Sequence, residues 1–105
     1  MDEVFKALAD PTRRSILDAL FEYDGQTVQA LCGRIPEMTR FGVMKHLTVL
    51  EGANLVVTKR VGRTKLHYLN PIPIGEIADR WVSKYAQPFT RAMVGIRLDL
   101  ERGTS

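Results

Sequence analysis

A single cysteine stands among 105 residues, and that scarcity removes several functions at once. Cys32 has no partner for an internal disulfide and no neighbouring thiols with which to build a multi-cysteine metal site. Histidine is nearly as scarce, at two residues, while zinc takes about four nitrogen, sulfur or carboxylate ligands. No apolar run approaches the roughly 20 residues required to span a bilayer. The opening residues, MDEVFKALAD, start acidic and lack the basic, then apolar, layout of a secretion signal, so a cytoplasmic protein with no membrane partner is expected. There is no phosphate-binding glycine loop and no His/Asp/Ser set, so neither an enzyme nor a cofactor is expected. Internal repeats and low-complexity segments are absent as well.

What is present is an ordinary globular composition, 45% hydrophobic and 26% charged, of a length suited to a single domain over residues 1–105. The net charge of +3 is unevenly spread. Residues 1–33 carry three positive and six negative groups, whereas residues 34–68 carry seven positive groups against two carboxylates. A basic block of this kind is an electrostatic footprint for phosphate, although a solvated basic face explains the charge alone equally well.

Local signals divide the chain into short helices. Val4, Phe5 and Leu8 make a first helix over residues 3–9. Asp10-Pro11 then supplies an N-cap and an N1 proline, opening a second helix to about Phe21 whose apolar face is Ile16, Leu17, Leu20 and Phe21. Asp24-Gly25 marks a loop, and Thr27 caps a short third helix through Val28, Leu31 and Ile35, which Pro36 cannot continue. Thr39 caps a fourth helix, in which Val43, His46, Leu47 and Leu50 share one face by their i, i+3, i+4 and i+7 spacing. Phe41, Met44, Lys45 and Thr48 fall on the opposite side, with Arg40 in the first turn. Asn54 suits the left-handed position at which a chain leaves a helix. Two short helices joined this tightly form a helix-turn-helix, about residues 27–52, whose second helix enters the DNA groove.

Beyond Asn54 the period changes. Residues 55–60 and 64–69 read as a β-hairpin with Gly62 at its turn, and Arg60, Arg63 and Lys65 make its tip basic. A basic hairpin directly after a basic helix makes a winged helix, with the wing at about residues 55–69. The fold class is therefore mostly α with a small β-hairpin. Asn70-Pro71-Ile72-Pro73 ends the hairpin, and a C-terminal helix over about residues 74–101 carries Ile77, Trp81, Tyr85, Pro88, Ala92 and Ile96 in one stripe, widened by Phe89, Met93 and Leu100, with a kink or short break expected at Pro88. That stripe exceeds what so small a core requires, and a symmetric homodimer seam is its natural use; closing its own core is the alternative.

The stretches FKALADPTRRSILDAL, MTRFGVMKHLTVLEGANLV and KRVGRTKLHYLNP closely resemble the ArsR/SmtB family of bacterial winged-helix repressors, over about residues 4–71. The resemblance implies a homodimer joined by its first and last helices, including Val4, Phe5 and the C-terminal stripe, that blocks transcription from a palindromic operator in double-stranded DNA. It also implies that Arg40, Phe41, Met44 and Lys45 occupy the base-contacting positions, with Thr39 and Thr48 beside them. The long cationic side chains of Arg40 and Lys45 suit guanine, and Phe41 and Met44 suit a thymine methyl. Many family members sense metals through a Cys-x-Cys pair, where ALCGRI here holds only Cys32. Others bind zinc with Asp and His on the last helix, where Asp79 here has no histidine to join it. The sequence thus resembles the subset without the usual metal ligands, and its inducer is unknown.

Two other readings compete with sequence-specific DNA binding. Phe41 and Met44 would suit a winged helix used for protein–protein contact. Cys32, with Arg34 two residues away to activate it, would suit a thiol-responsive regulator.

Overall fold

The computed structural model describes residues 1–82 and 84–86. The chain divides into two units, Met1–Pro73 and a second from Ile74 onward. The first contains helices α1 (Asp2–Leu8), α2 (Pro11–Glu22), α3 (Val28–Arg34) and α4 (Arg40–Gly52), followed by strands β1 (Val56–Val61) and β2 (Thr64–Leu69). Helix α5 (Ile72–Ile77) and a π-helical stretch, Ala78–Val82, follow.

Helices α2, α3 and α4 each begin on a side-chain cap. Asp10 Oδ2 accepts from Arg13 N–H, Thr27 Oγ1 from Ala30 N–H and Thr39 Oγ1 from Gly42 N–H, each over 3.0–3.1 Å. These bonds satisfy donors that a helix start otherwise leaves open. The end of α2 is closed from outside, by Gln26 Nε2 donating to the carbonyls of Ala19 and Tyr23.

The core of the first unit gathers Ile16 and Leu20 of α2, Leu31 of α3, and Val43, Leu47 and Leu50 of α4, with Leu55 and Val56 at the root of the wing. In α2 the buried arc runs from Ala19 through Ile16 and Leu20 to Leu17. Phe21, expected on this face, lies about 40° beyond Leu17 at 3.6 residues per turn and is 80% exposed. In α1, Val4 and Ala7 are buried while Phe5 is exposed.

The entry to the wing and its tight turn follow from two residues with positive φ. Asn54 (φ 61°) turns the chain out of α4, and Gly62 (φ 63°) turns it between the strands. The antiparallel register pairs Val56 with Leu69 at the root and Val61 with Thr64 at the tip. At the root, Gln26 and His67 exchange backbone hydrogen bonds, and the buried His67 ring donates from Nδ1 to the Gln26 carbonyl (2.9 Å). Asp24 Oδ1 accepts from Leu69 N–H, so the inner strand is sewn to the α2–α3 loop and the outer strand is left exposed.

In the second unit, the regular pitch expected over residues 74–101 gives way at Ala78–Val82 to the wider π turn. Ile77, Trp81 and Tyr85 therefore depart from simple α-helical alignment. Trp81 is half-buried and Tyr85 is 64% exposed. Phe89, Ala92 and Ile96, and the kink expected at Pro88, lie outside the described residues.

Candidate nucleic-acid interface

The turn between α3 and α4 is short because Pro36 stops the first helix and Met38 N–H bonds the Ile35 carbonyl. Burying Leu31, Ile35, Val43 and Leu47 fixes the two helices against each other. The remaining surface of α4 is then determined by helical geometry. Arg40, Phe41, Met44, Lys45 and Thr48 are all exposed, along with the cap Thr39. Phe41 is 68% exposed, an unusual state for a phenylalanine, and the Lys45 ammonium lies 4.9 Å from its ring centroid. The Thr48 hydroxyl donates back to the Met44 carbonyl (3.0 Å), leaving its oxygen free only to accept.

The wing brings its basic residues to the start of this helix. Arg60, Arg63 and Lys65 line a cleft of about 430 Å³ together with Arg40, from the first turn of α4, and Thr27, the cap of α3. No carboxylate lines it. Lys65 differs from the arginines, because its ammonium lies 3.4 Å from Glu51 Oε1. The structure thus brings Arg40 to the wing residues, and Met44 to a smaller cleft of about 140 Å³ beside Lys65, whereas Phe41 and Lys45 stand on the open face of α4.

Arg13 is a residue whose role local sequence signals do not reveal. Its guanidinium donates to the carbonyls of Lys6 and Ala7 at the end of α1, and to His46 Nδ1 on α4 at 3.3 Å. One side chain thereby ties α1 to the helix that carries the exposed basic face, while its own N–H rests on Asp10. The DPTRR motif contains the cap in plain view, but the reach from Arg13 to His46 crosses 33 positions. Both histidines are occupied structurally, His46 by Arg13 and His67 by Gln26.

Cys32 is partly buried, and Arg34 is turned elsewhere, bonding Glu22 Oε2 at 2.7 Å and lying over the Tyr23 ring. Among the described residues no group of three or more His, Cys, Asp or Glu could hold a metal ion. None of the described helices is long and apolar enough to cross a membrane.

Residues 8–59 match the family model for a helix-turn-helix domain. The chain is 40% identical over 86 residues to YuzN of Bacillus subtilis, an uncharacterized HTH-type transcriptional regulator, covering 77% of this chain and 94% of YuzN. It is 36% identical over 73 residues to the transcriptional repressor SdpR of the same organism, covering 67% of this chain and 76% of SdpR. Among solved structures it is similar to an ArsR-like transcriptional regulator from Rhodococcus sp. RHA1, with a TM-score of 0.75 and 30% identity, covering 96% of this chain and 90% of that one.

Proposed function

Since this chain belongs to the ArsR-like family of helix-turn-helix transcriptional regulators, DNA-binding proteins rather than enzymes, we propose that it is a homodimeric repressor of a palindromic operator. Each protomer lays α4 in the major groove and runs its wing along the adjacent backbone. The observation that carries this reading is the exposed face of Arg40, Phe41, Met44, Lys45 and Thr48, beside the Arg60 and Arg63 wing. An exposed helix face that sets a cation such as Lys45 beside bare apolar groups meets both kinds of major-groove feature, acceptor atoms on guanine and methyl groups on thymine. Repression follows the function named for SdpR, and blocking of transcription is the direct consequence of occupying a promoter.

The homodimer reading rests on the exposed Tyr85 and half-buried Trp81 of the second unit, and on the exposed Phe5 in α1. Two copies related by a two-fold axis present two α4 helices to successive major-groove faces, which is what a palindrome with half-sites a helical turn or more apart requires.

The test is a gel shift with the duplex upstream of the protein's own gene, read at several salt concentrations. A complex with two protomers per duplex, weakening steeply with salt, is expected. A protein that binds no duplex at low salt would overturn the reading, and Phe41 with Met44 would then belong to a protein–protein surface.

A further inference from the structure

We propose that the cleft between the first turn of α4 and the wing is the seat of one DNA backbone phosphate, and that Arg40 belongs to that seat rather than to the base-reading set. The assignment rests on the DNA-binding reading and divides its residues by task.

Charge makes the first case. Arg40, Arg60 and Arg63 line one cleft of about 430 Å³, and the side chains of the three have no hydrogen-bond or ion-pair partner among the described residues. Guanidinium groups stay charged at every accessible pH, so their mutual repulsion is relieved by an anion rather than by losing a proton. The hydroxyl-bearing Thr27 and Thr64 line the same space and add neutral donors. Lys65 contributes less, since Glu51 already balances it.

Shape makes the second case. Phosphate oxygens stand out from a duplex and enter a concavity, whereas base edges lie on the groove floor and are reached by what protrudes. Arg40 lines the concavity. Met44 lines a smaller cleft beside Lys65, so the open part of α4 is Phe41 and Lys45, with the Lys45 ammonium held over the Phe41 ring. Of the cations on α4, Lys45 is then the one left to meet a guanine, and Phe41 sets the apolar step beside it.

The test compares the full-length wild type with Arg40→Ala and Arg40→Lys on two probes: the tightest duplex selected from a random pool, and an unselected random duplex of equal length. For Arg40→Ala, affinity should fall about tenfold on both probes, and the slope of log affinity against log salt should shrink by about one. Arg40→Lys should recover most of the loss, because a point charge satisfies a phosphate. A series of duplexes with one neutral methylphosphonate linkage each should contain a linkage per half-site that weakens the wild type and leaves Arg40→Ala unaffected. Unchanged thermal melting of both variants separates these effects from folding. Loss confined to the selected duplex, with the salt slope intact, would return Arg40 to base reading and overturn the assignment. So would a methylphosphonate penalty that stays as large in Arg40→Ala as in the wild type at every linkage. A wild type that binds neither probe would instead overturn the DNA-binding reading itself, and the phosphate seat with it.

Discussion

The Lys65 ammonium lies 3.4 Å from Glu51 Oε1, and this pair joins the second strand of the wing to the last turn of α4. A lysine on a basic wing would ordinarily be counted among the groups offered to phosphate. Its carboxylate partner, on the helix beside it, commits that charge to holding the wing against α4. Both side chains are partly exposed, so the pair contributes only about 0–1 kcal/mol to stability. Its larger effect is on how much positive charge the wing presents.

Replacing Glu51 by Gln should therefore raise affinity for DNA of any sequence severalfold and steepen the salt slope by up to one, as Lys65 is released toward the duplex. Urea unfolding of the same variant should barely change. If affinity and slope both stay at their wild-type values, the pair does not govern the charge of the wing.

Arg63, next to Gly62 at the turn of the hairpin, carries no such partner among the described residues. Arg63→Ala should lower affinity similarly for selected and random duplexes and make the salt slope shallower by about one. A changed base preference with an unaltered slope would mean that the wing reads bases in the minor groove.

Trp81 is half-buried in the π-helical stretch, and the proposed homodimer gives it the part of an interface anchor. Trp81→Ala should weaken self-association by about 2–4 kcal/mol, the range of an aromatic interface anchor. Sedimentation over a range of concentrations measures this. A wild type that sediments as a monomer at micromolar concentration would remove the dimer from the proposed function.

Asp10 makes stability depend on acid. Its carboxylate accepts from the Arg13 N–H, and this bond, with the nearby Arg13 charge, holds its pKa below the ordinary 3.8 against an opposing push from desolvation. A carboxyl whose folded value is depressed stabilises the fold fully above its unfolded value and loses that contribution as pH falls through the folded one. Wild-type urea midpoints should accordingly drop more steeply below about pH 3.8 than those of Asp10→Asn, which keeps a capping oxygen without the charge. Parallel profiles for the two proteins would show that the charge on Asp10 contributes nothing.

The elements up to Leu69 are legible in the sequence because each is set by residues within a turn of one another, whereas the π-helical stretch at Ala78–Val82 has no such local mark. Asp10, Thr27 and Thr39 cap helices by reaching three residues ahead, and Asn54 and Gly62 adopt the left-handed backbone that the chain needs where it reverses. The 3.6-residue period likewise separates Val43, Leu47 and Leu50, which are buried, from Phe41, Met44 and Lys45, which are not. A period is less informative at its edge, and Phe21 lies outside the buried arc although its type suggests burial. What the tertiary structure alone decides is which distant groups meet. Arg13 finds His46 across 33 positions and His67 finds Gln26 across 41. Arg40 faces the wing, and Glu51 takes up Lys65, only because α4 and the hairpin are packed side by side. A charged side chain carries no mark of its partner in its own neighbourhood of sequence, so its task is assigned when the core brings the two elements together.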